Sequence, residues 1–376
     1  MEFGIFNAVC IPPQIRQAYG DAAEHRRLMD ELAYIRAADE AGFKYAWASE
    51  HHFLTEYSHL SASESFLAFA AAQTKNIHLG SGIFNITPPA NHPARIAERV
   101  AMIDHLSEGR FEFGTGRGSS TTEQRGFGIE DPDLTREMVA ETLPQIVRMW
   151  QETDYSYEGQ FFSMPERNVL PKPYTKPHPP LWVAAGSPGT FELAARQGLG
   201  VLCFAFGAPE QFAPLIEKYK KEIQNADPVG GYVNDNVMIT TQMLCLEDGA
   251  RARKVACNMD TGYHLSLVFR YLDTFPRPAG IPEWPELIPD TTPEQMEKNI
   301  ANGTVAVGDP EEVVRAVQRF ADTGADQLSF GMLSSSMPIE VCEEAVATFG
   351  KHVLPLFDRD PVHRTTRLRE QQCPSA

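Results

Sequence analysis

Eight short apolar runs with strand character, separated by longer amphipathic or polar stretches, constrain the fold of this chain more than any other feature. They are EFGIF (2–6), FKYAWAS (43–49), NIHLGSGIF (76–84), RFEFGTG (110–116), PLWVAAG (180–186), LGVLCFA (199–205), NVMITTQMLCL (236–246) and ADQLSFGM (325–332). Between them, HRRLMDELAYIRAADEAG (25–42) carries Leu28, Leu32, Ile35 and Ala38 at helical spacing, and residues 94–109, 209–224 and 310–324 repeat the pattern. Gly42, Gly109, Gly198 and Gly324 each follow a helical stretch, where a left-handed cap suits glycine. GDPEEV (308–313) starts a helix well, with Asp309 as N-cap and Pro310 in the first helical position. Strand and helix alternating about eight times predict a parallel sheet, and eight strands can close into a (β/α)₈ TIM barrel. An open, doubly wound sheet is the runner-up.

Two insertions break this rhythm. Residues 153–179 hold YSYEGQFFSM, an expected hairpin, and then the proline-rich PKPYTKPHPP leading into the fifth strand. Residues 247–304 contain a helical part followed by RYLDTFPRPAGIPEWPELIPDTTP. A loop of that length inside a compact domain is usually a lid, and a lid over the barrel mouth is expected here. The chain reads as one barrel domain over residues 1–357, with a polar, charged and frayed tail over 358–376. Length alone leaves one barrel with insertions as reasonable as two domains.

A formal net charge of −17 argues against a nucleic-acid groove or an anionic membrane surface as partner. Any phosphate site must therefore be local, built from a few placed arginines and backbone amides. Cys10, Cys203, Cys245, Cys257, Cys342 and Cys373 are scattered, without a CxxC pair or metal-ligand spacing, which suits a reduced cytoplasm. MEFGIFNAV has no basic region followed by a long apolar stretch, so no signal peptide is expected. No run of about 18 apolar residues is present, so no membrane-spanning helix is expected either.

In a barrel, the C-terminal ends of the strands face the active-site mouth. That rule selects Glu50, His51, His52 and Phe53 after the second strand, Asn85 after the third, Arg117 after the fourth, Ser187 after the fifth, and Phe204 and Phe206 after the sixth. GTGRGS (114–119) lacks the G-x-G-x-x-G spacing of a dinucleotide loop. Either its glycines let the backbone approach a ligand while Arg117 meets a phosphate, or it is a plain strand-to-helix turn with an exposed arginine. Ser187 and Thr190 bring hydroxyls to a helix N-terminus whose free amides favour an anion, although Ser187 also reads as a simple N-cap. With Arg117 on the adjacent strand, the phosphate reading gains. His51 and His52 lack an HExxH or carboxylate–histidine grouping, so no metal is expected; His51, at the mouth and preceded by Glu50, is the functional candidate.

These pieces resemble a known family. FGIF…PP at the start, a helix ending DEAGF, a strand ending SEHHF, NHPARIAERVAMIDHLSEGRFEFGTGRG, GFGIEDPDLTRE and VGDPEEVVRAVQRFADTGAD are similar, in matching order, to the bacterial luciferase family from residue 2 to about 357. EHHF combined with HP…GR-F-FG-x-x-RG is far more specific than either alone. The resemblance implies a luciferase-like barrel, reduced FMN as a diffusible cosubstrate, and molecular oxygen added at the flavin as a C4a-peroxyflavin. It places His51 at the family's catalytic histidine. Arg117, Arg136, Ser187 and Thr190 match phosphate-contacting positions, and Gly186 falls where the family supplies a backbone contact. The flavin ring is expected against Ser81, Gly82 and Ile83, where the family often has a non-prolyl cis peptide. Luciferase's reactive cysteine is replaced by Gly116, and residues 272–303 share little beyond place and length, so light emission is not implied.

The implied activity is a two-component monooxygenase, fed by a separate NAD(P)H:flavin reductase and oxidising a small, apolar aldehyde, ketone or other organic molecule. A homodimer is expected by the same analogy. The alternatives are an F420-dependent hydride-transfer oxidoreductase of the same superfamily and a non-catalytic partner subunit like luciferase β. A flavin-free barrel acting on a phosphorylated metabolite leaves EHHF unexplained. Phe53, Phe204, Phe206 and Trp284 read either as an apolar pocket lining or as ordinary packing.

Overall fold

In the computed structural model, residues 1–204, 207–274, 277, 280–331 and 336–374 are described. Eight parallel strands form the ring: β1 (Glu2–Asn7), β2 (Tyr45–Ala48), β3 (His78–Ser81), β4 (Phe111–Gly116), β5 (Leu181–Ala184), β6 (Gly200–Phe204), β7 (Val237–Cys245) and β8 (Gln327–Phe330). Each pairs with the next in sequence, and β8 returns to β1 through Phe3↔Leu328, so the sheet closes and the open-sheet alternative falls. All eight apolar runs became strands of this ring. Phe206 lies outside the described residues.

Closure buries both faces of the strands, which is why they read as continuous apolar runs rather than alternating ones; all four residues of β2 are buried. Outward side chains pack against helices such as Ala23–Glu40, whose Leu32, Ile35 and Ala38 are buried as the spacing required. Inward, Tyr45, Trp47, Trp182, Leu202 and Met238 fill the barrel, with Trp47 edge-on to Trp182 at 5.1 Å between centroids. Gly80 admits that indole, since a Cβ there would lie 2.3 Å from Trp47 Cε3. The interior is thus packed, and a ligand can enter only at the strand ends. Local signals also held: Gly198 takes φ +68° to cap its helix, and Asp309 and Glu312 form a capping box.

The hairpin of the first insertion pairs Tyr155–Glu158 with Ser163–Arg167. The second insertion carries helices Gly249–Cys257, Thr261–Tyr271 and Pro293–Ala301, then a strand Val305–Gly308 beside the end of β7. Leu267, Val268 and Tyr271 pack on Leu54 and Tyr57 of the loop after β2, so this segment has a core of its own. Among the described residues, no helix is long and apolar enough to cross a membrane.

The expected fraying of the tail is overturned. Its residues Arg364–Gln372 form a helix docked on the floor of the barrel, where charged residues at the strand starts need partners. Lys44 Nζ donates to Glu2 Oε1 (2.8 Å), Asp358 Oδ1 (3.1 Å) and the Val362 carbonyl (3.1 Å). Thr365 Oγ1 donates to the fully buried Glu112 Oε1 (2.6 Å), and Trp182 Nε1 donates to its Oε2 (2.7 Å). His78 Nδ1 lies 2.8 Å from Glu112 Oε1, and the His363 ring stacks on His78 at 3.6 Å. Polarity in the tail therefore marks specific partners rather than solvent.

These buried groups set a pH dependence. Burial pushes the Glu112 carboxyl up to about 8 and the imidazoles of His78 and His363 down to about 3 and about 2. The depressed histidines contribute stability that is whole above their ordinary 6.5 and is lost as pH falls toward 3. Glu112 has the opposite sign: its contribution is whole below 4.5 and is lost as pH rises through about 8. Truncation after Val362 removes His363 and Thr365 and wets His78 and Glu112. Loss of the Thr365 hydrogen bond to Glu112, which keeps His78 and Trp182 as partners, costs about 0.5–1.5 kcal/mol, and the lost packing of His363 on His78 adds to it. The truncated chain is expected to melt several degrees lower, with a flatter dependence of melting temperature on pH between 3 and 8. An unchanged melting profile across that range refutes the docked floor.

Candidate active site

The loop after β2 is held by two buried carboxylates. Glu50 Oε1 accepts from the Asn85 amide (3.2 Å) and Asn91 Nδ2 (3.2 Å), and it lies 3.3 Å from His52 Nε2. This ties the end of β2 to the segment after β3. Glu123, 2% exposed, accepts from the His52 amide (2.7 Å) and meets His51 Nδ1 (3.1 Å) through the same Oε1. A carboxylate there can only accept, so Nδ1 donates to it and Nε2 is the ring nitrogen left to exchange a proton with a ligand. The His51 ring also rests edge-on against Tyr57 at 5.3 Å.

Glu123 was not singled out from the sequence. Ser120-Thr-Thr-Glu123 has the form of a capping box at the start of the helix Thr121–Gly126. In the fold, Ser120 makes no side-chain cap bond, and the glutamate is turned to the histidines instead. The signal was present but pointed to the local partner.

Arg117 follows β4, half-buried, with Nη1 donating to Thr135 Oγ1 at 3.2 Å. Burial and the neighbouring charge of Arg136 hold the Arg117 guanidinium below its usual range, although Asp133 opposes this. Among the described residues neither arginine makes an ion pair with a carboxylate. Two like charges brought together at a partly desolvated site favour an anion between them. The pairing Thr115↔Val183 sets Arg117 beside the end of β5, where Gly186 and Ser187 lie exposed. Ser187 caps the ten-residue helix Pro188–Gln197, accepting from the Thr190 amide (3.4 Å) with its Oγ 3.0 Å from Thr190 Oγ1. That first turn has no acidic residue, so its amides and the arginines favour an anion together. The N-cap and anion readings of Ser187 are compatible.

Between these groups lies a shelf. The Gly82–Ile83 peptide is cis, and Ile83 leans over Gly116, where a Cβ would lie 2.7 Å from Ile83 Cδ1. A cysteine at 116 would therefore push the tip of the Ile83 side chain aside. A Cβ on Gly82 would lie 2.9 Å from Phe6 Cε2, and Phe6 packs edge-on to the exposed Phe204 at 5.1 Å. The Ser81 hydroxyl donates to the Gly114 carbonyl (2.8 Å) and accepts from the Gly114 amide (2.9 Å), binding β3 to β4 beneath the shelf. Phe53 packs on Phe127 at 5.2 Å, and Trp284 packs within the lid against Tyr263 and under Arg270, 4.3 Å from its guanidinium. Of the aromatics considered for a pocket lining, Phe204 is the one packed on Phe6 beside the shelf. No group of three His, Cys, Asp or Glu side chains among the described residues could hold a metal ion.

The site thus offers a two-arginine anion cradle, a flat apolar shelf and an oriented imidazole. The oxygenase component of the flavin-dependent trigonelline monooxygenase of Acinetobacter baylyi is 27% identical over 359 residues, spanning 92% of this chain and 94% of that protein. An F420-dependent glucose-6-phosphate dehydrogenase from Kineococcus radiotolerans is 27% identical over 299 residues, spanning 78% of this chain and 84% of its own. Among solved structures, the monooxygenase RslO1 from Streptomyces bottropensis matches with a TM-score of 0.77 and 27% identity, covering 95% of this chain and all of that one (100%). Residues 1–327 match the model of the luciferase-like monooxygenases, and the chain belongs to that family.

Proposed function

We propose that this chain is the oxygenase component of a two-component monooxygenase that takes reduced FMN from a separate NAD(P)H:flavin reductase and uses oxygen to oxidise a small organic molecule. The observation that carries this reading is the pair Arg117–Arg136, without a carboxylate partner among the described residues, beside the helix start at Ser187. That cradle fits one phosphate. Arg117, Arg136, Ser187 and Thr190 would hold it, Gly186 would add a backbone contact, and Gly82, Ile83 and Gly116 would form the flat wall for the ring. Bound reduced FMN supplies the electrons that activate oxygen.

The chain's own residues then orient, shield and move a proton. His51, held through Nδ1 by Glu123, presents Nε2 as a general acid or base. The segment built on Leu267, Val268 and Tyr271 covers the loop that carries His51 and limits water. Apolar Phe6 and Phe204 at the mouth suit an apolar aldehyde or ketone. Six free cysteines fit a reducing, cytoplasmic setting, and a homodimer fits the family.

A second reading, F420-dependent hydride transfer, is favoured by the dehydrogenase relative, since F420 also carries a phosphate. Stopped-flow spectra separate the two. The protein is mixed with photoreduced FMN and then with oxygenated buffer. Reoxidation through a transient spectrum that free FMN lacks supports the monooxygenase. Reoxidation identical to free FMN, together with binding of reduced F420, moves the assignment to the deazaflavin enzyme. Binding of neither removes the enzyme assignment.

A further inference from the structure

The second insertion touches the site at one further place, distant in sequence. Asp273 Oδ1 accepts from the Thr121 amide (2.8 Å), and Thr121 Oγ1 donates to Asp273 Oδ2 (2.5 Å). Beside it, the amide (3.3 Å) and hydroxyl (3.0 Å) of Thr274 both donate to the Ser119 carbonyl. Ser119 lies two residues past Arg117, and Thr121 lies two residues before Glu123. The helix Thr121–Gly126 makes no side-chain cap of its own, because Ser120 forms no such bond. Its first amide is satisfied by a carboxylate that arrives from 152 residues away. The same insertion reaches His51 from the other side, where His264 stacks on Tyr57 at 5.9 Å and Tyr57 in turn meets His51.

We propose that Asp273 is a positioning residue for His51: by capping Thr121–Gly126 from the lid, it fixes Glu123, and through Glu123 it fixes the imidazole. The physical argument is that a six-residue helix is too short to hold itself in water. Its geometry is set by the groups that satisfy its ends, and here one of those groups belongs to a different segment. Docking of the lid and orientation of the histidine then become one event, so proton handling is matched to exclusion of water. The functional half of this inference rests on the role proposed for His51; the mechanical half does not.

The mechanical half is tested on the flavin-free full chain by hydrogen–deuterium exchange. Asp273→Ala is expected to raise amide exchange in residues 119–127 by roughly five-fold, the scale of one lost N-cap. Asp273→Asn, which still accepts from an amide, is expected to restore most of the protection. Coupling must run both ways, so Thr121→Val is expected to loosen residues 261–274. Unchanged exchange in 119–127 for Asp273→Ala overturns the proposal, whatever the flavin chemistry proves to be. The functional half is read by stopped flow with reduced FMN and oxygen. Asp273→Ala is expected to shorten the transient by about ten-fold in the parent and to have no further effect in a His51→Ala background. Equal, additive effects in both backgrounds refute positioning through His51. If the parent shows no transient with FMN, the flavin reading has failed, and the exchange result still decides the latch.

Discussion

His51→Ala is expected to shorten the oxygen-dependent transient and to cut product formation by about 10²–10⁴-fold, the range for loss of a positioned acid or base. Binding of reduced FMN should change little, because the imidazole lies on the opposite side of the shelf from the arginine cradle in sequence and strand order. Glu123→Gln separates orientation from charge. The amide oxygen can still accept from His51 Nδ1 and the His52 amide, which lie 3.1 and 2.7 Å from Glu123 Oε1 in the parent. A smaller loss, about ten-fold, is expected if the carboxylate serves mainly to hold the ring and stabilise its charged form. Glu123→Ala leaves both groups unpaired and should approach the His51→Ala value. The double variant His51→Ala/Glu123→Gln should be no worse than His51→Ala alone, since the two residues act as one unit. A transient of parental lifetime in His51→Ala would remove the histidine from the chemistry.

Arg117→Ala is expected to weaken reduced-FMN binding by about 10–100-fold, corresponding to the roughly 1.5–3 kcal/mol of a hydrogen bond to a charged group. Arg136, more exposed than Arg117, should contribute less to affinity because solvent and salt screen it. Riboflavin supplies the control: it lacks the phosphate, so parent and Arg117→Ala should bind it alike, and the parent should prefer FMN to riboflavin by at least the factor the variant loses. Arg117→Lys should not recover the loss fully, because a single ammonium cannot reproduce the planar fork of a guanidinium. Ser187→Ala should cost less than Arg117→Ala, since the helix amides remain. Equal affinity of the parent for FMN and riboflavin would dissolve the phosphate assignment and, with it, the observation on which the proposed function stands.

The parts of this protein legible in the sequence are those decided over a few residues. Eight apolar runs announced eight barrel strands because a strand buried on both faces is apolar along most of its length. Gly198 and the Asp309–Pro310 start declared their helix ends because caps are local bonds. His51, Arg117 and Ser187 could be placed at the mouth because, in a parallel barrel, position along a strand is position along the axis. What tertiary structure alone decided is which polar groups met. Glu123 lies 72 residues from His51, and its sequence pattern fitted a local cap. Thr365 found Glu112 across 253 residues, turning a tail that looked solvated into the floor of the barrel. Ser81 lost its hydroxyl to Gly114 on the neighbouring strand, and Asp273 gave its carboxylate to a helix it does not belong to. The division has one physical cause. Apolar burial is non-directional, so its pattern survives in the linear sequence. A buried hydrogen bond needs one particular partner at one distance and angle, and that partner is chosen only when the chain has closed.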